Sequence, residues 1–546
     1  MKRKISLSLA LLAVLCFFAF RGPGEKYFDI AKSLDIFATL FKEVNAYYVD
    51  EIEPKRLVQT GIQGMLESLD PYTDYIPEED MEAFSILTTG QYAGIGALIG
   101  VVNKKTVVTH PYDGFPAHRA GIRVGDEFIS VDGKNVKGKP SSEISALLKG
   151  NPSSEIKIVV ERLGKPLTFN LQRERIKISN VTYQGQIESG VGYIKLDDFT
   201  PGAAKEVENA MISLKQKGAT KLIIDLRDNP GGLLHEAVNI VNLFIPKGKE
   251  VVSTKGKVQD WNKSYTTLNN PSDTQIPLVI LTSGGSASAA EIVAGALQDY
   301  DRAVLVGQKT FGKGLVQTTR PLAYNAQLKV TTAKYYIPSG RCIQALDYTH
   351  RKHDGTVEKF ADSVKSSFKT SNGRIVYDGG GLDPDVIVPI EPVGSAIVEL
   401  IRSGLVFEFA TKYSNEHPAP ADLRKFKLTP ADLQAFESWV NEQHFTYSTD
   451  LEKEASELIA AAKNERYYSE LQSSLNTLQA KIQQNHSGYM VRFREEIQKI
   501  LELEIAFHYD LDKGRVETGL EGDKELTEAK RILRDDQTYQ KFLAPH

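Results

Sequence analysis

Between residues 177 and 390, short apolar runs alternate with helix-forming stretches, and this alternation restricts the chain to an α/β core with parallel strands. Apolar runs at 192–196, 221–226, 250–253 and 276–282 are interleaved with helical patterns at 203–217 and 233–243. The run at 276–282 ends in Gly285-Ser286-Ala287-Ser288-Ala289-Ala290-Glu291-Ile292, a small-residue turn that opens a helix-forming stretch at 289–297. Ser288 therefore stands at a strand-to-helix junction, where a hydroxyl is exposed and backbone N–H groups point toward it. The next apolar strand runs into Phe311-Gly312-Lys313-Gly314-Leu315-Val316-Gln317, with Lys313 between two glycines in an otherwise uncharged stretch.

A serine is a poor nucleophile near neutral pH unless a base takes its proton, and a lysine serves as that base only where burial holds its pKa down. Ser288 and Lys313 lie 25 residues apart, the length of one helix plus a returning strand and its turn, so the amine can come back beside the hydroxyl. Gln317, four positions after Lys313, shares its face on a strand and could orient the amine through its amide oxygen. A helix would align the two as well, but Leu315-Val316 and Thr318-Thr319 favour the strand. Asp225-Leu226-Arg227-Asp228-Asn229-Pro230-Gly231-Gly232 closes another apolar strand. Gly231-Gly232 permits a sharp turn with outward N–H groups, a candidate oxyanion site whose second donor is the N–H of Ala289.

Other chemistries fit less well. No Gly-x-Ser-x-Gly elbow occurs, and of the ten histidines only His235 lies near this chemistry, where it reads as a helix-surface residue. His350 and His353 sit in a basic loop without a helical scaffold, so no metal site is expected, and no other cofactor. Gly307-Gln308-Lys309-Thr310-Phe311-Gly312-Lys313-Gly314 approaches a phosphate loop. However, Gly314 replaces the magnesium-binding hydroxyl and β-formers come after it in place of a helix.

Around this core, residues 27–85 are helix-rich, with Leu34, Phe37, Leu40, Phe41 and Val44 at helical spacing. Residues 86–176 change to short β-branched runs with an Asp132-Gly133 turn and one short helix at 141–149, a compact module. Beyond Pro392 the pattern is almost wholly helical, strongly amphipathic at 451–484 and 491–505. Those faces read as packing within the chain, with homo-oligomer formation through these helices as the second reading. Lys2-Arg3-Lys4 and then an apolar run at 5–20 make an export signal. Ala19-Phe20-Arg21 is a poor cleavage end, and Cys16 lacks the preceding small residue that lipid attachment wants, so an uncleaved membrane anchor is an alternative. Cys342 is the only other cysteine, so the mature chain has no intramolecular disulfide. Net charge is −4, and losing the three N-terminal cations would make it −7, which gives nucleic acid no reason to bind.

Gly285 to Asp299, the Lys313 and Gln317 segment, the Asp225 to Gly232 segment and Gly381-Leu382-Asp383-Pro384-Asp385 together resemble the carboxyl-terminal processing, or tail-specific, serine peptidases. The resemblance implies a multidomain α/β protein with a helical N-terminal segment, a β-sandwich-like PDZ module, a ClpP/crotonase-like peptidase core and a helical C-terminal extension. The expected boundaries are 1–21 for the signal or anchor, 22–85, 86–176, 177–390 and 391–546. In that family a serine and a lysine form the dyad and a glutamine positions the lysine, which carries over to Ser288, Lys313 and Gln317. One oxyanion N–H falls at Gly231 or Gly232 and the other at Ala289. Tyr92-Ala93-Gly94-Ile95-Gly96 resembles the PDZ loop whose N–H groups receive a peptide carboxylate, and Ala117 to Ile122 with Gly125-Asp126 fits the same domain. Ile144, Leu147 and Leu148 on its helix are candidates for the side-chain pocket.

The expected function is an exported endopeptidase, periplasmic or in the cell envelope with an inner-membrane anchor as the alternative, that captures exposed protein C-termini and cleaves through an acyl-enzyme. The competing class is a catalytically silent PDZ scaffold on a peptidase-like core.

Overall fold

The computed structural model describes residues 23–545 apart from 349, 353–355, 361, 362, 364 and 487. The N-terminal apolar run with its export reading, Cys16 and His353 lie outside the described residues. No helix among the described residues is long and apolar enough to cross a membrane.

The chain divides into two compact units, one ending at Tyr75 and one beginning at Ile76. The first contains helices Pro23–Tyr47 and Pro54–Glu67, the second of which starts on a proline. Proline suits that first helical position because its missing N–H would have had no partner there.

The second unit begins with a β-rich module. Its main sheet runs in the order Ala97–Val102, Lys105–Pro111, Glu127–Val131, Glu155–Arg162 and Lys165–Gln172, all antiparallel, while Gln91–Gly94 pairs separately with Glu174–Lys177. Alternation decides which side faces in: Ile156, Ile158 and Val160 are buried, and Glu155 and Lys157 are exposed. These residues join Phe128, Val108 and Ile144 of helix Ser141–Leu148 in one apolar core.

The α/β core is a six-stranded sheet in the order Val181–Glu188, Val191–Leu196, Lys221–Asp225, Leu278–Thr282, Val304–Gly307 and Val386–Ile387. Its first pair is antiparallel and every later pair parallel. Leu222, Ile224, Leu278 and Ile280 point to the face covered by helices Ala203–Gln216, Leu234–Asn242 and Ala289–Asp299. Ile223, Val279, Leu281 and Val304 point to the other face, where Leu526, Ala529, Ile532 and Leu533 of helix Lys524–Arg534 cover them, with Tyr539 and Leu543 of helix Asp536–Leu543. A parallel sheet must be covered on both faces, and the end of the chain supplies the second cover. A smaller antiparallel sheet holds the hairpin Leu315–Pro321 and Gln327–Tyr336 against Glu250–Gly256.

After Pro392 the chain is helical as expected. Helices Ser395–Arg402, Leu405–Glu416, Pro430–Glu442 and Arg494–Gly519 share a core containing Phe409, Phe436, Leu501 and Ile505. The amphipathic stretch at 451–484 is two helices, Asp450–Asn464 and Tyr468–His486, separated at Arg466, whose φ is 67°.

Candidate active site

Ser288 caps helix Ala289–Asp299 with φ 55° and ψ −114°. A residue with a β-carbon rarely adopts a positive φ, and holding it there costs about 1–3 kcal/mol, strain of the kind that collects at functional sites. The turn is over-determined by its neighbours. Ser286 Oγ donates to the carbonyl of Leu226 at 2.7 Å and accepts from the N–H of Ser283 at 2.9 Å. The N–H of Ala287 donates to the carbonyl of Asn229 at 2.9 Å. The Asp225 to Gly232 loop is thus stitched directly to the serine turn, and Gly231, at φ 94°, abuts it so closely that a β-carbon would lie 2.8 Å from both Ala289 N and Ser288 Cβ.

Lys313 lies in the loop between strands Val304–Gly307 and Leu315–Pro321 and is half-buried. Two side chains bring it to Ser288. Glu291, one turn into the helix and fully buried, accepts from the N–H groups of Ser288 and Lys313 on the same oxygen, Oε2, each at 2.9 Å. Those two amide nitrogens are therefore separated by no more than the sum of the two distances. Its other oxygen accepts from the N–H of Gly312 at 2.8 Å and the hydroxyl of Thr310 at 2.5 Å. The Tyr335 hydroxyl donates toward the carbonyls of Ser288, at 3.2 Å, and Lys313. Burial pushes the Glu291 carboxyl up to about 7, against the hydrogen bonds from Thr310, Lys313, Gly312 and Ser288 that favour its charged form.

The same contacts dispose of the phosphate-loop resemblance. The N–H groups of Gly312 and Lys313, which would cradle a phosphate, are occupied by a protein carboxylate. His235 is largely exposed and lies 3.7 Å from Glu236, whose carboxylate accepts from the N–H groups of Gly202 and Ala204. His350 is exposed beside Asp347. Among the described residues no cluster of histidine, cysteine and carboxylate side chains could hold a metal ion.

Gln317 lies in the strand after Lys313, and its amide donates to Thr331 Oγ1 across the hairpin at 3.2 Å. The alternation argument for its sharing a face with Lys313 does not apply. Lys313 precedes the strand, where the alternation has not begun, and the register shift between Val316 and Gln317 places its extra residue, Thr332, in the partner strand. At the glycine turn, the N–H of Gly231 donates to Asn229 Oδ1 at 2.8 Å within its own loop. The Gly381 to Asp385 motif is a structural brace. The N–H of Leu382 donates to Thr310 Oγ1 at 2.7 Å, and Asp385 pairs with Arg374 and accepts from the N–H of Leu305 at 2.8 Å.

In the β-rich module, a groove of about 340 Å³ opens between strand Ala97–Val102 and helix Ser141–Leu148, lined by Tyr92, Ile95, Ile99, Ser145 and Leu148 among others. Gly96 takes φ 75°, where a β-carbon would meet Phe115 at 2.4 Å, so only glycine fits that turn. Gly94 pairs with Glu174 in the short two-stranded sheet. Ile144 is fully buried in the module core and Leu147 packs at its margin, leaving Leu148 with Ser141 and Ser145 on the groove side of the helix.

Sequence reasoning missed Glu291 and Tyr335. A signal for the first was present, since a carboxylate three residues after a serine at a helix start is a capping pattern and stands alone in an apolar run.

Three family models match stretches of this chain. Residues 190–349 match peptidase family S41, residues 107–162 match the PDZ domain, and residues 396–533 match a family described as a probable PDZ-protease C-terminal helical domain. A carboxy-terminal-processing protease from Bartonella bacilliformis is 37% identical over 324 residues, covering 58% of this chain and 74% of that protein. A probable CtpA-like serine protease from Staphylococcus aureus is 36% identical over 343 residues, covering 62% and 68%. Among solved structures, the photosystem II D1 C-terminal processing protease is 27% identical, with a TM-score of 0.34 over 64% of this chain and 92% of that one.

Proposed function

The chain belongs to peptidase family S41, the carboxy-terminal-processing proteases, and from that premise we propose that it is a serine endopeptidase working through a Ser288 and Lys313 dyad on proteins with exposed C-termini. The observation that carries the dyad is the shared carboxylate: Glu291 Oε2 accepts from the N–H of both residues, each at 2.9 Å, and so ties the nucleophile turn to the lysine loop.

In this reading a substrate tail lays its backbone along strand Ala97–Val102, its carboxylate on the N–H groups of the 92–96 loop and its last side chain in the groove beside Leu148. Ser288 Oγ attacks the scissile carbonyl while the neutral amine of Lys313 takes the hydroxyl proton. The N–H of Ala289 and that of the glycine turn hold the oxyanion. We assign the second donor to Gly232, because the N–H of Gly231 serves Asn229. Collapse of the tetrahedral species breaks the C–N bond, and the departing amine takes the proton from Lys313. Water then attacks the acyl-enzyme, giving its proton to Lys313, and Lys313 returns that proton to Ser288 Oγ as the ester C–O bond breaks and the new carboxylate leaves. Gln317 supports the lysine from the adjoining strand. We read the chain as exported on the strength of its N-terminal sequence.

The test compares Ser288→Ala and Lys313→Ala with the parent chain on an unfolded protein bearing an apolar tail, alongside labelling by a serine-reactive fluorophosphonate. Loss of turnover in both variants, with tail binding retained and Ser288 labelled in the parent, is the expected result. Undiminished cleavage would sink the dyad, and tail binding without labelling or turnover would make the chain a scaffold.

A further inference from the structure

The start of helix Lys524–Arg534 reaches the two loops that flank Ser288 with two carboxylates. Asp523 Oδ2 lies 2.8 Å from Arg227 Nη2, while its Oδ1 accepts from the N–H of Leu526 at 2.8 Å and so caps the helix. Glu525 Oε2 lies 3.4 Å from Arg227 Nη1, and its Oε1 accepts from Gln308 Nε2 at 2.5 Å. Arg227 belongs to the glycine-turn loop, and Gln308 is the first residue after strand Val304–Gly307, at the root of the lysine loop. One carboxylate from near the end of the chain therefore touches both loops.

Three features argue that this contact does more than seat a helix. First, the Arg227 guanidinium also holds Asp225 with Nη2 at 2.6 Å and Nε at 3.0 Å, so it joins the end of a core strand to the C-terminal region through one rigid, planar group. Second, the residues just after Arg227 lead straight to the nucleophile. Asp228 N–H donates to Ser283 Oγ at 2.9 Å, and Asn229 carries both the Ala287 N–H and the Gly231 N–H. Third, a cavity of about 790 Å³ lies alongside, lined by Gly284, Gly285, Leu503 and Leu520, so apolar packing does not hold the loops on that side. The apolar anchors of the helix, Leu526, Ala529, Ile532 and Leu533, lie beyond it on the sheet face.

We propose that Asp523 and Glu525 are positioning residues of the peptidase site, so that the C-terminal helical region sets the placement of the glycine-turn loop and the lysine loop around Ser288. This rests on the reading of Ser288 and Lys313 as the dyad. Neither carboxylate touches substrate; each acts through Arg227 or Gln308. A displacement of about 1 Å in such loops lowers turnover by about a hundredfold without weakening tail capture in a separate groove.

The experiment uses the full chain with Asp523→Asn and Glu525→Gln, singly and together. Asparagine is as good a helix cap as aspartate, so the substitution removes the charge and keeps the helix start. The expected result for the double variant is a kcat lowered about ten- to a hundredfold, KM within about twofold, and fluorophosphonate labelling of Ser288 slowed in proportion. The thermal midpoint should stay near that of the parent because the apolar contacts to the sheet remain. A double variant with parental kcat would overturn the proposal. So would a fall in kcat matched by collapse of the thermal transition, provided the single Glu525→Gln variant, which leaves the cap untouched, keeps parental kcat. If the parent chain neither turns over nor labels, the dyad reading fails first and this inference falls with it.

Discussion

The pocket around Glu291 and the cluster around Asp225 flank the same serine turn, and both bury a carboxylate completely, yet burial has opposite outcomes in the two. Around Glu291 the hydrogen-bond donors are dipoles: three N–H groups and one hydroxyl. These offset only part of the lost hydration, and the carboxyl is pushed up to about 7. Around Asp225 burial pushes the same way, but Arg227 and Lys195 outweigh it and hold the carboxyl at about 2, with Tyr193 donating at 2.6 Å. A buried carboxylate among dipoles stays close to the edge of ionisation, whereas one paired with cations is a permanent anchor. The first lies between the proposed dyad residues, and the second fixes a loop to the sheet.

The largest effect tests the anchor. Asp225→Asn takes the shared counter-charge from Arg227 and Lys195, and because Arg227 keeps Asp523 and Glu525 and Lys195 keeps Asp197, the loss should fall toward the lower end of the about 3–5 kcal/mol that breaking such a pair costs. A depressed carboxyl adds stability above its unfolded pKa of 3.8 and loses it as pH falls through about 2. The deficit should therefore be flat from about pH 5 to 9 and vanish only in strong acid, read as the difference in thermal midpoint from the parent. A deficit that changes across neutral pH would mean that Asp225 is not a permanent charge.

Glu291→Gln comes next and should show in turnover. The glutamine amide keeps one acceptor oxygen and turns its NH2 against the other donors, so it cannot hold the Ser288 and Lys313 N–H pair and the Gly312 and Thr310 pair together. Turnover should fall about a hundredfold, with tail binding intact. In the parent, a folded pKa above the unfolded 4.5 means that ionising Glu291 works against folding as pH rises from 4.5 to about 7. Only the ionised form accepts all four hydrogen bonds, so kcat should rise with pH through about 7, and Glu291→Gln should lose that limb. A variant that keeps both the rate and the limb removes Glu291 from the site.

How much of this was legible in the sequence depends on the range of each interaction. The Ser288 turn and the glycine turn are local: small residues between an apolar run and a helix pattern need nothing distant to be recognised. Glu291 was half-legible, because its spacing from Ser288 is local but its bonds to Gly312 and Lys313 are not. Tyr335 was illegible, since it comes back to Ser288 and Lys313 only through the pairing of two hairpin strands. The parity argument for Gln317 did not reach Lys313, because the strand begins only at Leu315, a boundary that alternation alone does not reveal. Likewise, the helical pattern beyond Pro392 does not say which surface its last helices cover, and Leu526, Ala529, Ile532 and Leu533 pack on the second face of the core sheet.

The smallest effect separates the two sides of the proposed dyad. Tyr335 is 1% exposed, so water cannot replace its hydroxyl once removed, and Tyr335→Phe leaves the carbonyls of Ser288 and Lys313 short of a donor. The ring stays packed, so the expected loss is about tenfold in kcat with little change in thermal midpoint. If Glu291 ties the two residues through their N–H groups and Tyr335 through their carbonyls, the two side chains hold one object. Once Glu291→Gln has released the lysine loop, removing the hydroxyl has less left to disturb, and the double variant should lose less than the product of the single losses. Strict multiplication of the two effects would show that the carboxylate and the phenol act on separate parts of the site.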